Sequence, residues 1–157
     1  MVFNMGRPTI RWIGKEDGLA QEPVRYAVSR TAQSAFTEAP DVLEGEVFLP
    51  PECDVSIRRD WFWQDDNIDT LKSVDALMAI WYRSIGLGAN LLLNVGPDRR
   101  GRIDDDDLRR LREWRAVLRD RFREPRTATV SRERDAYLAE FHAPVPFDHL
   151  ELSEDIG

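Results

Sequence analysis

The chain is short of the residues that most often announce a chemistry. It has one cysteine, Cys53, in 157 residues. A single thiol excludes an internal disulfide and a paired-cysteine metal site, and it leaves the compartment open. Histidine is almost as scarce, with only His142 and His149, and neither belongs to a metal-spaced cluster. No apolar run approaches the ~18 residues of a membrane-spanning helix, so no membrane partner is expected. Basic residues number 22 against 29 acidic ones, a formal net charge of -7. That balance makes nucleic acid a poor partner for the surface as a whole. The first residues, Met1-Val2-Phe3-Asn4, carry no basic stretch ahead of an apolar run, so no secretory signal is visible there. The segment NLLLNVGP at residues 90–97 lacks a Gly-rich fingerprint and a P-loop lysine, which excludes nucleotide binding. There is no low-complexity tract.

What is present suits a folded domain. The hydrophobic fraction is 42% and there are five tryptophans. A chain of this length can bury a real core.

The elements follow from periodicity. TIRWIG, residues 9–14, reads as a strand ending in the polar cluster Lys15, Glu16, Asp17, Gly18. Residues 19–46 have little periodicity and read as a long loop, which in a compact domain suggests function. Residues 53–57, CDVSI, form a second strand, followed by the polar and aromatic segment RRDWFWQDDNID. Over 70–85, Leu71, Val74, Leu77, Met78, Trp81 and Ile85 fall at helical spacing. Asp69 or Thr70 is the expected cap, and Gly86 suits the end. ANLLLNVGP, 89–97, reads as a fully buried parallel strand. A helix follows over 104–122, with Leu108, Leu111, Leu118 and Phe122 as its inward stripe. Its opening run Asp104 to Asp107 matches the positive end of a helix dipole better than a metal cluster. After Glu124-Pro125-Arg126 the texture changes to short alternating runs, TATV, DAYLAEF and FDHLEL.

This order is α/β, and its first part fits the βα units of a barrel. Residues 1–124 are then the C-terminal portion of a (β/α)8 barrel, and 125–157 a linker and the first strands of an all-β domain. With few barrel strands on the chain, the sheet has an open edge, and the apolar faces of NLLLNV and of the 104–122 helix stay half covered. The isolated chain is expected to associate and to lack turnover.

In such barrels, chemistry sits at the C-terminal ends of strands and in the loops that follow. Glu16 occupies such a place, as does Asn94, while Asp54 lies in the second strand and Trp61, Phe62 and Trp63 follow it on a loop. A carboxylic acid beside aromatics suits glycoside hydrolysis, because desolvation lets an acid keep its proton near neutral pH. Aromatic faces also stack on the apolar faces of sugars.

Four blocks sharpen this reading. RWIGKEDG (11–18), PPECDVSIRRDWFW (50–63), YRSIG (82–86) and NLLLNVGPDRRGRI (90–103) resemble, in order, consecutive blocks of the α-L-fucosidases, a retaining glycoside hydrolase family. FHAPVPFDHLELSEDIG (141–157) resembles the start of the β-sandwich domain that follows the barrel there. The resemblance implies hydrolysis of terminal α-L-fucosyl linkages, with α-1,3/1,4-linked fucose a candidate, by two carboxyl groups and with no cofactor or metal. A fucosylated oligosaccharide or glycoconjugate is the implied partner. Glu16 matches the family's acid/base. The nucleophile and the fucose-gripping histidines of the family lie before this motif, in the N-terminal half of the barrel, which is the implied missing partner. Trp61 is the implied aromatic sugar contact, followed by Trp63, with Asp54 and Arg58 beside the substrate or supporting what touches it.

Two positions depart from the family pattern. Lys15 stands where asparagine is usual, and Gln64 where histidine is usual. A cation next to a proton donor favours the ionised form, unless the two side chains face opposite sides of an extended segment. Gln64 bears on substrate preference more than on reaction class. A non-catalytic, carbohydrate-binding relic of the barrel therefore stays open as the alternative.

Overall fold

The computed structural model describes residues 2–35 and 37–151. The chain divides into two compact units, Met1–Ala116 and Val117–Gly157.

The first unit is built on three parallel strands, β1 (Arg11–Trp12), β4 (Pro51–Ser56) and β5 (Asn90–Asn94), in the spatial order β1-β4-β5. Arg11 lies opposite Pro51, and Cys53 opposite Leu91. Helix α1 (Val74–Arg83) connects β4 to β5. It buries Leu77, Met78 and Ile80, positions that share one face at helical spacing. The central strand is buried along both faces, with Cys53 and Val55 and the adjoining Ile57 in the core. The fold is thus α/β, as the order of elements predicts. Gly18 fixes the turn after β1. Its φ is +76°, and a Cβ there would lie 2.8 Å from Val55 Cγ1 and 2.9 Å from Ile80 Cγ2. Only glycine lets the chain turn back this tightly over β4.

Several expectations need correction. Residues 19–46 are not a structureless loop. They contain most of an antiparallel hairpin of β2 (Ala27–Arg30) and β3 (Val42–Phe48). Most of its residues face solvent, so the strands carry no burial alternation for periodicity to detect. Helix α1 starts later than Asp69 or Thr70. Ile68–Thr70 form a separate 3-10 turn, and Ser73 caps α1 by accepting the Ala76 N–H at 3.1 Å. Helix α1 ends at Ser84 rather than Gly86, and the left-handed glycine, Gly88 at φ +82°, closes the second 3-10 turn, Ile85–Leu87, that follows. Strand β5 is not fully buried: Leu92 is 41% exposed, since β5 is an edge with one face open.

Helix α2 (Asp105–Phe122) matches its expected span, and the division between the units falls within it. Its leucines are only half-buried and Asp107 is its one buried residue among those described. In the second unit, β6 (Thr129–Glu133) and β7 (Ala136–Glu140) form an antiparallel hairpin, with the Arg132 guanidinium 5.9 Å above the Tyr137 ring. The third expected strand, FDHLEL, is absent over Phe147–Glu151, and its last residue lies outside the described residues. Phe141 and Phe147 stack there at 6.4 Å instead.

Candidate functional site

Because β1, β4 and β5 are parallel, the segments after them emerge at one end of the sheet. Three segments meet there: Lys15–Gly18, the loop from Ile57 to Asn67, and the loop from Val95 to Asp104. The predicted candidates Glu16, Trp61 and Trp63 all belong to this end, with Asp54 inside β4, opposite Leu92, and Arg58 just past the end of β4.

Glu16 is exposed, and its Oε2 accepts the indole N–H of Trp61 at 2.8 Å. An indole N–H can only donate, so it fixes one oxygen and leaves the other toward solvent. Asp54 Oδ1 accepts the indole N–H of Trp12 at 2.7 Å. Burial pushes the Asp54 carboxyl up; the Trp12 bond pulls it back, and the nearby negative charges of Glu16 and Asp17 push it up again. The two carboxylates therefore occupy one electrostatic neighbourhood, each held by a tryptophan. Lys15 is exposed and forms no ion pair with any described residue.

The loop that carries Trp61 is pinned from below. Asn94 donates to the Trp61 carbonyl at 2.7 Å and to Ser56 Oγ at 3.1 Å, and Ser56 Oγ donates to the Asp60 carbonyl at 2.7 Å. Gly96 makes the approach possible. A Cβ there would sit 2.8 Å from the Trp63 backbone nitrogen.

Helix α2 holds the far side of the same loop. Asp104 accepts the Asp106 N–H at 2.9 Å, which caps α2, and the Trp63 indole N–H at 3.0 Å. The Asp106 backbone bond, with smaller help from Trp63 and Arg58, holds the Asp104 carboxyl below its ordinary value. Arg58 is 4% exposed. It donates to Asp107 Oδ1 at 2.9 Å and to Asn67 Oδ1 at 2.8 Å, and stands 3.4 Å from Asp104. Its donors are thus turned into the protein. Burial pushes the Asp107 carboxyl up, and Arg58 offsets this only in part. Lys72, whose charge burial disfavours, donates to the carbonyls of Ser56 at 2.6 Å and Arg58 at 3.3 Å.

Sequence reasoning did not find Asn67 or Lys72, and it read Asp104 and Asp107 only as a dipole-matched helix start. Nothing in the spacing of Arg58 and Asp107 signals a bond across 49 residues. No group of His, Cys, Asp and Glu among the described residues is placed to hold a metal ion.

The family model for alpha-L-fucosidase matches residues 28–120. Alpha-L-fucosidase 1 of Arabidopsis thaliana is 37% identical over 119 residues, which is 73% of this chain and 23% of the relative. The crystal structure of a glycoside hydrolase 29 family member from an unknown rumen bacterium superposes with a TM-score of 0.71 at 27% identity, covering 87% of this chain and 26% of that one. A Ruminococcus gnavus glycoside hydrolase 29 fucosidase mutant, solved in complex with fucose, has a TM-score of 0.64 at 28% identity, covering 79% of this chain and 26% of that one. The chain spans about a quarter of the length of the curated relative (23%).

Proposed function

The chain belongs to the α-L-fucosidase family, and on that premise we propose that it supplies the acid/base half of a retaining fucosidase site, with Glu16 as the proton donor. The observation that carries this reading is the bond from Trp61 to Glu16: one oxygen of an exposed carboxyl is anchored and the other stays open to a ligand. In the first step a carboxylate from outside residues 1–157 attacks the anomeric carbon of a terminal α-L-fucosyl unit. The bond to the glycosidic oxygen breaks, and Glu16 gives that oxygen its proton. In the second step water attacks the glycosyl-enzyme, Glu16 takes the water proton, and fucose leaves with its configuration retained.

Trp61 then serves twice, orienting Glu16 through its N–H and offering ring surface to the sugar. Trp63 lines the approach. Asp54 supports the site from β4, and Arg58 acts on the loop from beneath rather than on the substrate. We read the three parallel strands as consecutive strands of a (β/α)8 barrel whose other half lies outside this chain. The hairpin of β6 and β7 is read as the opening of an all-β unit.

The test is Glu16→Ala in a catalytically competent protein carrying this segment. Turnover of an unactivated fucoside should fall by about 100-fold or more, and turnover of an activated aryl fucoside, whose leaving group needs no proton, should be partly rescued by azide, an anionic nucleophile that needs no general base. Undiminished turnover would remove Glu16 from the role. Sugar binding without turnover in the unsubstituted protein would favour the non-catalytic alternative.

A further inference from the structure

Strand β5 ends on Asn94, the last asparagine of the NLLLNVGP block and a residue that no reaction step above uses. Its side chain stands where two strands and the aromatic loop meet. Asn94 lies opposite Ser56 in the parallel register, and its backbone carbonyl accepts the Ile57 N–H at 2.9 Å. The side chain is therefore carried on a well-tied stretch of ladder, at the end of the sheet from which the segment of Glu16 emerges.

Donor and acceptor roles leave one arrangement here. Backbone carbonyls only accept, so the amide nitrogen of Asn94 is the atom that faces the Trp61 carbonyl, at 2.7 Å. The second amide hydrogen goes to Ser56 Oγ at 3.1 Å. The Ser56 hydroxyl has one proton, which goes to the Asp60 carbonyl at 2.7 Å, so toward Asn94 it can only accept. Two successive carbonyls of the loop, Asp60 and Trp61, are thus held by side chains from adjoining strands. Packing does not hold the loop at this point, because Phe62 is 81% exposed. With the Trp61 carbonyl held, only the side-chain torsions of that residue lie between its backbone and the N–H that meets Glu16.

We propose that Asn94 is a positioning residue for proton transfer. It holds the Trp61 peptide so that the indole N–H sets the Glu16 carboxyl toward the glycosidic oxygen, and its loss impairs protonation of the leaving group rather than sugar binding. The proposal rests on the reading of Glu16 as the proton donor. A general acid works only within hydrogen-bond reach of the oxygen it protonates. A misplacement of ~1 Å can cost roughly 100-fold. A leaving group that is stable as an anion departs without that proton, so its departure does not depend on where Glu16 points.

Asn94→Leu keeps the side-chain volume and removes the donor. In the chain itself, the Trp61 indole N–H resonance should move toward its position in Glu16→Ala, where the acceptor is gone, while that of Trp114 stays in place. An unmoved Trp61 resonance overturns the proposal. In a catalytically competent protein carrying this segment, kcat/KM reports the glycosylation step alone. There Asn94→Leu should lower kcat/KM about tenfold on methyl α-L-fucopyranoside and leave it within about twofold on a dinitrophenyl α-L-fucoside. An equal loss on both substrates, which a purely structural role gives, overturns the proposal, and so does no loss on either. In a Trp61→Phe background the same substitution should add no further selective loss, since its route to Glu16 is already cut, and additive losses count against it. Where Asn94→Leu does not fold, Ser56→Ala, which removes one of the two acceptors of the Asn94 amide, takes its place with the same expected selectivity. Glu16→Ala separates the two levels. A loss confined to the methyl fucoside keeps the proton-donor reading even where Asn94→Leu shows no selectivity. Undiminished turnover of both substrates sinks that reading, and the positioning role with it.

Discussion

The indole N–H of Trp61 donates to Oε2 of Glu16 across 45 residues of sequence, at 2.8 Å. The bond joins the segment after β1 to the loop after β4, and it ties the orientation of one carboxyl to the position of one aromatic ring. A hydrogen bond to a charged group contributes about 1.5–3 kcal/mol. Trp61→Phe keeps most of the ring and removes the donor. In a competent protein, kcat/KM on an unactivated fucoside should drop about 10- to 100-fold. A variant with full kcat/KM would show that the ring alone matters.

The buried pair of Arg58 and Asp107 makes a different prediction. Asp107 is 1% exposed, its Oδ1 is bonded to Arg58, and its Oδ2 has no hydrogen-bond partner. Removing one partner of such a pair leaves a buried charge uncompensated, at a cost of about 3–5 kcal/mol, whereas replacing both by apolar residues is often neutral. Arg58→Met and Asp107→Leu should each lower stability strongly, and the double variant should recover most of the loss. Additive losses in urea unfolding would mean that the two side chains act independently.

How far the chain could be read in advance differs element by element. The core of α1 was legible because apolar spacing records a buried stripe, and the span of α2 because its leucines recur at helical spacing behind a run of aspartates, although those leucines are only half-buried. The hairpin of β2 and β3 was not, since most of its residues face solvent and leave no alternation. At the candidate site, the position of Glu16, Trp61 and Trp63 after parallel strands was legible, while the roles proposed for them come from the resemblance of RWIGKEDG and its companion blocks. The bonds that hold them were not legible. Asn94 to Trp61 and Arg58 to Asp107 span 33 and 49 residues, and such pairings follow from three-dimensional packing rather than local pattern.

Gly96 tests how closely the two loops must approach. A Cβ there would lie 2.8 Å from the Trp63 nitrogen and 3.3 Å from the Trp61 oxygen, both backbone atoms that cannot swing aside. Gly96→Ala must push the aromatic loop away from β5, at a cost of about 1–3 kcal/mol. The displacement should weaken both the Asn94 and the Glu16 contacts of Trp61. Its indole N–H resonance should therefore shift while that of Trp114, on α2, stays in place. An unmoved Trp61 resonance would show that the loops have slack.

Glu52 gives a pH dependence whose sign can be worked out. It is 1% exposed at the start of the parallel ladder and accepts the Asn90 side-chain N–H at 2.7 Å. Burial raises its carboxyl above the ordinary value of 4.5; the Asn90 bond pulls it down, and the charge of Asp54 pushes it up. A carboxyl raised by folding favours the folded state while it keeps its proton. That contribution is complete below the unfolded value near 4.5 and is lost as pH rises through the folded value. Glu52→Gln can still accept from Asn90 and never ionises. The variant and the parent should therefore melt closest together near pH 4, and the variant should gain on the parent as pH is raised toward 7, because only the parent must bury a growing negative charge. Removing that charge also relieves Asp54, so the difference should not be cancelled by its neighbour. A Tm gap between the two proteins that stayed constant from pH 4 to 7 would mean that Glu52 titrates alike in the folded and unfolded chains.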